Sequence, residues 1–292
     1  MKIFKYIIGN LLIFFILFCA LEAILYFDYR KKGSDIDYHI KKIPYINRIK
    51  ANDFRPTFGT QYKKQSIIIL GCSYAYGEFL TDEQTLGYKL SKATKRPVYN
   101  YALKGKGFQN ALYIIQNNFL DANIKNPKYF IYVFLNDHVR RIYSNSCMSD
   151  FVGQPLYKLD KNNQLYLYKD YYPRYRQFYT FYFFNNIIYK LFIEKDIERN
   201  NKYVNAYFKA MNTEIKKRFP NTKFIVLTYG NQDLYKYDFS ELINDDFIVL
   251  NTDCLSNEKL MSAKYQISNS DTHPNEQAWD VILNPLIERL SL

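Results

Sequence analysis

The sequence predicts an α/β fold, a three-layer α/β/α sandwich built on a five-stranded parallel sheet, and three observations carry that expectation. Five short apolar runs rich in β-branched and aromatic residues punctuate the chain from residue 66 onward. Stretches with helical periodicity separate them. Each run closes in small or polar residues, where a strand must hand over to a turn. Apolar runs of about four to eight residues read as strands buried on both faces, and strands alternating with helices are joined by right-handed crossovers.

Composition agrees with one sizeable core. The 292 residues are 48% hydrophobic and carry 40 Lys+Arg against 28 Asp+Glu, a formal charge of +12, which excludes a disordered or collagen-like chain. Only ten Gly and three His occur, so their placement is informative. The four Cys, at 19, 72, 147 and 254, show no C-x-x-C spacing, and neither a P-loop nor a G-x-G-x-x-G pattern is present. Zinc-ribbon, thioredoxin-type and dinucleotide-binding chemistry have no support.

The amino terminus comes first. Residues 3 to 27 are apolar apart from Lys5, Asn10 and Glu22. At ~1.5 Å per residue such a helix can span a ~30 Å hydrocarbon core, so 1–27 reads as a membrane anchor or signal-anchor. A cleaved signal peptide and a lipoprotein at Cys19 are the rivals. Leu21 and Phe18 stand where cleavage wants small residues, and bulky Phe18 also precedes Cys19. A buried hydrophobic helix is the structural alternative. Charge does not decide topology, since Lys2 and Lys5 precede the run while Arg30, Lys31 and Lys32 follow it. The short charged head resembles an export signal, so the expected body is periplasmic or otherwise outside the inner membrane.

Residues 28–62 read as a polar linker and 63–292 as the main α/β domain. Strands are predicted at 66–70, 97–101, 128–135, 222–229 and 245–250, and helices near 82–95, 108–123, 201–219 and 275–290. Between the third and fourth strands lie 86 residues, too many for one crossover. Residues 138–200 therefore read as an insertion, with a hairpin over 156–168 turning at Asp160 to Asn163. Nine of the 14 residues from 171 to 184 are aromatic. That stretch has three readings: a stacking surface for sugars or acyl chains, a membrane-facing patch, or packing against the body.

In open parallel sheets, ligands bind beyond the carboxyl ends of the strands. The turns there are Gly71-Cys72-Ser73-Tyr74-Ala75-Tyr76-Gly77, the stretch after Tyr101 with Gly105 and Gly107, and Asn136-Asp137-His138. Asp271-Thr272-His273-Pro274-Asn275 precedes the last helix. These supply a hydroxyl, a base, an acid and oxyanion donors, the ingredients of nucleophilic acyl transfer. Ser73 is the candidate nucleophile, His273 the base and Asp271 its orienting acid. The N–H groups of Ser73 and Gly105 and the side-chain amide of Asn136 are the candidate oxyanion donors. Each has a plainer reading: Ser73, Asn136 and Asp137 as helix caps, His273 as a surface residue. His39 and His138 are set aside as bases, and Cys72 as a thiolate nucleophile, because it sits at a strand edge. Cys147 and Cys254 are a possible disulfide pair that no spacing argument brings together.

The order of these blocks resembles the SGNH/GDSL hydrolase family, through Gly71-Cys72-Ser73, Asn100 to Gly105, Leu135-Asn136-Asp137 and Asp271-Thr272-His273-Pro274-Asn275. The resemblance covers about 65–290. It implies an esterase, lipase or carbohydrate acyl-modifying enzyme that needs no cofactor or metal. It also implies the roles given above for Ser73, His273, Asp271, Gly105 and Asn136. Three departures stand out: Cys72 replaces the usual Asp, Ala102 stands where a second Gly often occurs, and the acid precedes the base by two positions where many members use three, Ser270 filling that third place. The α/β-hydrolase elbow G-x-S-x-G fits worse, because Ala75 takes its last position.

The expected activity is hydrolysis of an O-acyl, chiefly O-acetyl, ester on a cell-envelope glycan or lipid-linked substrate. Acyl transfer to a polysaccharide through the same residues, or a non-catalytic envelope scaffold, are the alternatives. The expected partners are that acylated substrate and the inner membrane. The basic balance, nine Lys/Arg against four acids over 190–223, suits an anionic surface or glycan. Nucleic acid is not expected for an exported body, and the oligomeric state is open.

Overall fold

Where the five apolar runs stand, five parallel strands form. The computed structural model describes residues 2–32, 53–117, 119–120, 124, 126–142, 154–169, 196–230 and 237–292. In chain order the strands are β1 (Ile67–Leu70), β2 (Val98–Asn100), β3 (Tyr129–Phe134), β4 (Leu156–Leu159), β5 (Leu165–Lys169), β6 (Lys223–Thr228), β7 (Phe247–Asn251), β8 (Gln266–Ser268) and β9 (Asp271–Pro274). The main sheet has the order β2-β1-β3-β6-β7, parallel throughout. The hairpin β4–β5 falls where the sequence predicts it. A second hairpin, β8–β9, was not expected.

Side-chain alternation explains the three layers. Successive strand residues point to opposite faces. Ile68, Leu70, Phe130, Tyr132, Phe134, Phe224 and Val226 bury one face under α4 (Phe108–Gln116) and α6 (Ile197–Arg218). Ile67, Ile69, Ile131, Val133, Ile225 and Leu227 bury the other under α3 (Leu86–Thr94) and α8 (Glu276–Leu290), through residues such as Leu90, Trp279 and Ile282. With both faces covered, the strands need no polar side, which is why they read as continuous apolar runs. The remaining α-helices among the described residues are α1 (Lys2–Lys32), α2 (Ser73–Tyr76), α5 (Asp137–Ile142) and α7 (Thr252–Ser256).

Two expectations need correction. Residues 53–62, assigned to the linker, belong in part to the body: Phe58 exchanges backbone hydrogen bonds with Val98 and is buried. The amino-terminal run does form a helix, α1, whose residues from Leu11 to Leu17 expose more than half of each side chain. The structure does not, however, supply the expected transmembrane span: among the described residues no helix is long and apolar enough to cross a membrane. The aromatic stretch 171–184, His39 and Cys147 lie outside the described residues, and Cys254 is a free, exposed thiol.

Candidate active site

The nucleophile candidate is placed by the buried edge of the sheet. β1 ends at Leu70, and Gly71 turns the chain with φ +144°, where a Cβ would lie 2.9 Å from the Ala75 Cβ and 3.0 Å from the Val133 carbonyl oxygen. Only glycine fits there without moving backbone. Cys72 then caps α2, fully buried, its thiol pushed up by desolvation, so it stays a neutral packing residue rather than a thiolate. Ser73 follows as the first residue of α2 and is 5% exposed.

Opposite it stands the base candidate, delivered by β9. His273 Nε2 lies 2.7 Å from Ser73 Oγ, and His273 Nδ1 lies 2.6 Å from Asp271 Oδ1. The same carboxylate oxygen accepts the backbone N–H of His273 at 2.9 Å. That N–H is the first cause holding the Asp271 carboxyl below its ordinary value, with the imidazole adding to it. The two-residue spacing is thereby explained. Asp271 folds back on the chain to bond both the main chain and the ring of the residue two positions on. Ser270, at the three-residue position, pairs its hydroxyl with that of Ser268.

The candidate oxyanion donors follow the strands on either side. Because β1 lies between β2 and β3, Gly105 after β2 and Asn136 after β3 flank Ser73. Gly105 has φ +65°, and neither its N–H nor that of Ser73 donates to a described acceptor. Buried Asn100 fixes this loop, its amide donating to the Ala75 carbonyl at 2.8 Å while its oxygen accepts the Ala102 N–H at 3.1 Å. Ala102, at the place of a second glycine, is simply buried. Arg141 ties the same loop to α5, donating to the Lys106 carbonyl and pairing with Asp137 at 2.5 Å.

Several contributors had no signal in the sequence. Tyr74 Oη lies 2.8 Å from both the carbonyl and the hydroxyl oxygen of Thr272, and its ring centre lies 5.0 Å from that of His273. Desolvation pushes this phenol up to about 12, so it remains a neutral donor. Glu78 Oε2 stands 3.5 Å from His273 Nε2. His138, set aside as a base, is fully buried with Nδ1 2.8 Å from Tyr132 Oη, and desolvation followed by the Arg141 charge holds it far below its ordinary value. It is a neutral core histidine. No group of acids, His and Cys suited to a metal ion occurs among the described residues.

Comparison with known proteins gives fold-level likeness only. No family model and no curated protein matches the sequence. Among the solved structures similar to it are esterases, lipases and carbohydrate esterases. They include the acetyl xylan esterase Est2A from the rumen bacterium Butyrivibrio proteoclasticus (11% identity, TM-score 0.44, 78% of this chain and 64% of that one). A family two carbohydrate esterase from Cellvibrio japonicus is similar at 12% identity and TM-score 0.41, over 78% and 61% of the chains. The lipase Lip_vut3 from a goat rumen metagenome is similar at 11% identity and TM-score 0.47, over 77% and 97%. This chain thus spans less than two thirds of either carbohydrate esterase.

Proposed function

We propose that this chain is a serine esterase of SGNH type that hydrolyses an O-acyl, chiefly O-acetyl, ester through Ser73, His273 and Asp271. The observation that carries the reading is the continuous relay from Asp271 Oδ1 through His273 to Ser73 Oγ, with contacts of 2.6 and 2.7 Å. A serine hydroxyl is a weak nucleophile near neutral pH. With Nδ1–H donated to the carboxylate, Nε2 carries the lone pair that takes the Ser73 proton as Oγ attacks the ester carbon. The negative charge then developing on the carbonyl oxygen is met by the Ser73 and Gly105 N–H groups and the Asn136 amide. The alkoxide leaves with the proton from Nε2, and a second nucleophile releases the acyl group by the reverse sequence.

The substrate class is a cell-envelope glycan or lipid-linked ester, with the body outside the inner membrane; this part rests on the character of the sequence. The test uses the full chain in mild detergent with 4-nitrophenyl acetate. Ser73→Ala and His273→Ala are each expected to lose at least about 10³-fold in kcat/KM. Turnover by Ser73→Ala equal to the wild type refutes the assignment. A reporter active only in an oxidising compartment, fused after Leu292, is expected to be active; silence in a well-expressed fusion places the body in the cytoplasm.

A further inference from the structure

The segment just after α2 carries a carboxylate that the proposed relay does not use. The Glu78 N–H donates to the Ser73 carbonyl at 3.0 Å. Its Oε2 lies 3.5 Å from His273 Nε2, the nitrogen that faces Ser73 Oγ, and its Oε1 lies 3.3 Å from Lys104 Nζ, in the residue before Gly105. The carboxylate therefore stands at the mouth of the site, held from the oxyanion side by a lysine.

This placement is built rather than incidental. Phe79 follows with φ +68°, a left-handed conformation that a bulky side chain adopts only under constraint. The constraint is Arg55, whose guanidinium donates to the carbonyls of Tyr76 (3.1 Å), Gly77 (2.6 Å) and Leu80 (2.7 Å) and to Asp82 (2.6 Å). Four bonds from one planar group pin the chain on both sides of Glu78 and Phe79. The result turns the Phe79 ring, 63% exposed, to within 5.4 Å of the imidazole.

Chemistry gives this carboxylate a task in the second half of the reaction. The nucleophile that releases the acyl group must hand its proton to Nε2, so its oxygen lies within hydrogen-bonding distance of that atom. A separation of 3.5 Å is too long for a direct imidazole–carboxylate bond but lets one oxygen bond both partners at ordinary lengths. Water has two O–H groups and can give one to Nε2 and the other to Glu78. A monohydric alcohol has only one. Its lone pairs would face the carboxylate, a repulsive arrangement of the kind that rejects a competitor.

Building on the esterase reading above, we infer that Glu78 positions the deacylating water and so biases the acyl-enzyme toward hydrolysis over transfer to simple alcohols. In the step, the bond between the acyl carbon and Ser73 Oγ breaks and a bond to the water oxygen forms. One water proton passes to Nε2 and on to Ser73 Oγ, and the acid is released. Glu78 accepts the second O–H throughout and ends unchanged.

The experiment follows 4-nitrophenyl acetate with the full chain, in rapid-mixing and steady-state modes, with and without methanol. Methyl acetate and acetate are quantified as the two products. The wild type is expected to show a nitrophenol burst and to make mostly acetate. In Glu78→Gln, whose amide can donate to an alcohol oxygen, the burst rate is expected within about 2-fold of the wild type, while steady-state turnover falls about 10-fold. The ratio of methyl acetate to acetate at fixed methanol is expected to rise at least about 5-fold. Glu78→Asp, which keeps the charge, is expected to restore part of the preference for water, and serves should the amide variant fold poorly. An unchanged product ratio in Glu78→Gln, or a wild-type ratio in both variants, overturns the inference while leaving the esterase intact. Absence of nitrophenol release by the wild type, in both rapid-mixing and steady-state modes, overturns the esterase reading itself.

Discussion

The turn that carries Ser73 and the hairpin that carries His273 meet through the Ser73–His273 hydrogen bond and the Tyr74–Thr272 contacts but stand on unlike supports. Residues 72 to 75 are buried between β1, β3 and the packed side chains around them, each less than 10% exposed. The hairpin β8–β9 has two short strands, and Ile267, Ser268, Asn269, Ser270 and Thr272 are exposed. Its position comes from a few specific bonds: Asp271 Oδ1 to the His273 main chain and ring, Tyr74 to Thr272, and the Asn275 side chain to the carbonyls of Lys264 and Gln266. The comparison teaches that Ser73 is fixed by packing, which many residues share, while His273 is fixed by single hydrogen bonds, each of which can be deleted cleanly.

After Ser73 and His273 themselves, the largest effect is expected at Asp271. Asp271→Asn should slow the hydrolysis of 4-nitrophenyl acetate, measured as kcat/KM, by about 10² to 10⁴-fold, because an amide does not hold the ring in the tautomer with its lone pair on Nε2. A fall of under about 5-fold would mean the hairpin orients the imidazole without the acid. The same variant tests linkage. The Asp271 carboxyl is held below its ordinary value in the folded chain, so its contribution to stability is present above the unfolded carboxylate pKa and is lost as pH falls through the lower folded value. The Tm gap between wild type and Asp271→Asn is therefore expected at neutral pH and should close on acidification below the carboxylate range.

Tyr74→Phe cuts the tie between the two regions while keeping the ring. Loss of the bonds to Thr272 is expected to cost about 1 to 3 kcal/mol in chemical denaturation and to lower turnover by about 3- to 10-fold. An effect on stability with none on turnover would show that the hairpin holds His273 without help from α2. The smallest effect is expected at Lys89 on α3, which pairs with Glu276 at 3.0 Å and Asp280 at 2.6 Å on the helix following His273. With both acids partly in solvent, Lys89→Ala should cost less than about 1 kcal/mol and leave turnover unchanged. A change in turnover would show that α8, not the hairpin alone, sets the base.

The strands were legible because burial on both faces leaves an unambiguous mark: Ile67–Leu70 and Phe224–Leu227 are apolar at every position. The hairpin β8–β9 was not, since strands of three or four residues with Asn269 and Ser270 between them carry too little alternation to register. At the site, Ser73, His273 and Asp271 stood out by residue type and position. Glu78, Tyr74 and Arg55 did not, because nothing in a run such as Tyr76-Gly77-Glu78-Phe79 says which way its side chains turn. Phe79 reads as core by type yet lies exposed, since its left-handed backbone, held by Arg55, turns it outward. The boundary at residue 62 also failed, as Arg55 and Phe58 look like linker residues until their partners 20 to 40 positions later are in place.

The sequence by itself determined the layer architecture and the chemical inventory, because strand burial and residue type are written locally. Tertiary structure alone decided that the side chains of residues 73 and 273 lie within hydrogen-bonding distance and that a carboxylate five positions past the serine faces the same nitrogen. The physical reason is that hydrogen bonds act over about 3 Å, and only the sheet order and two backbone turns bring such distant positions within that distance.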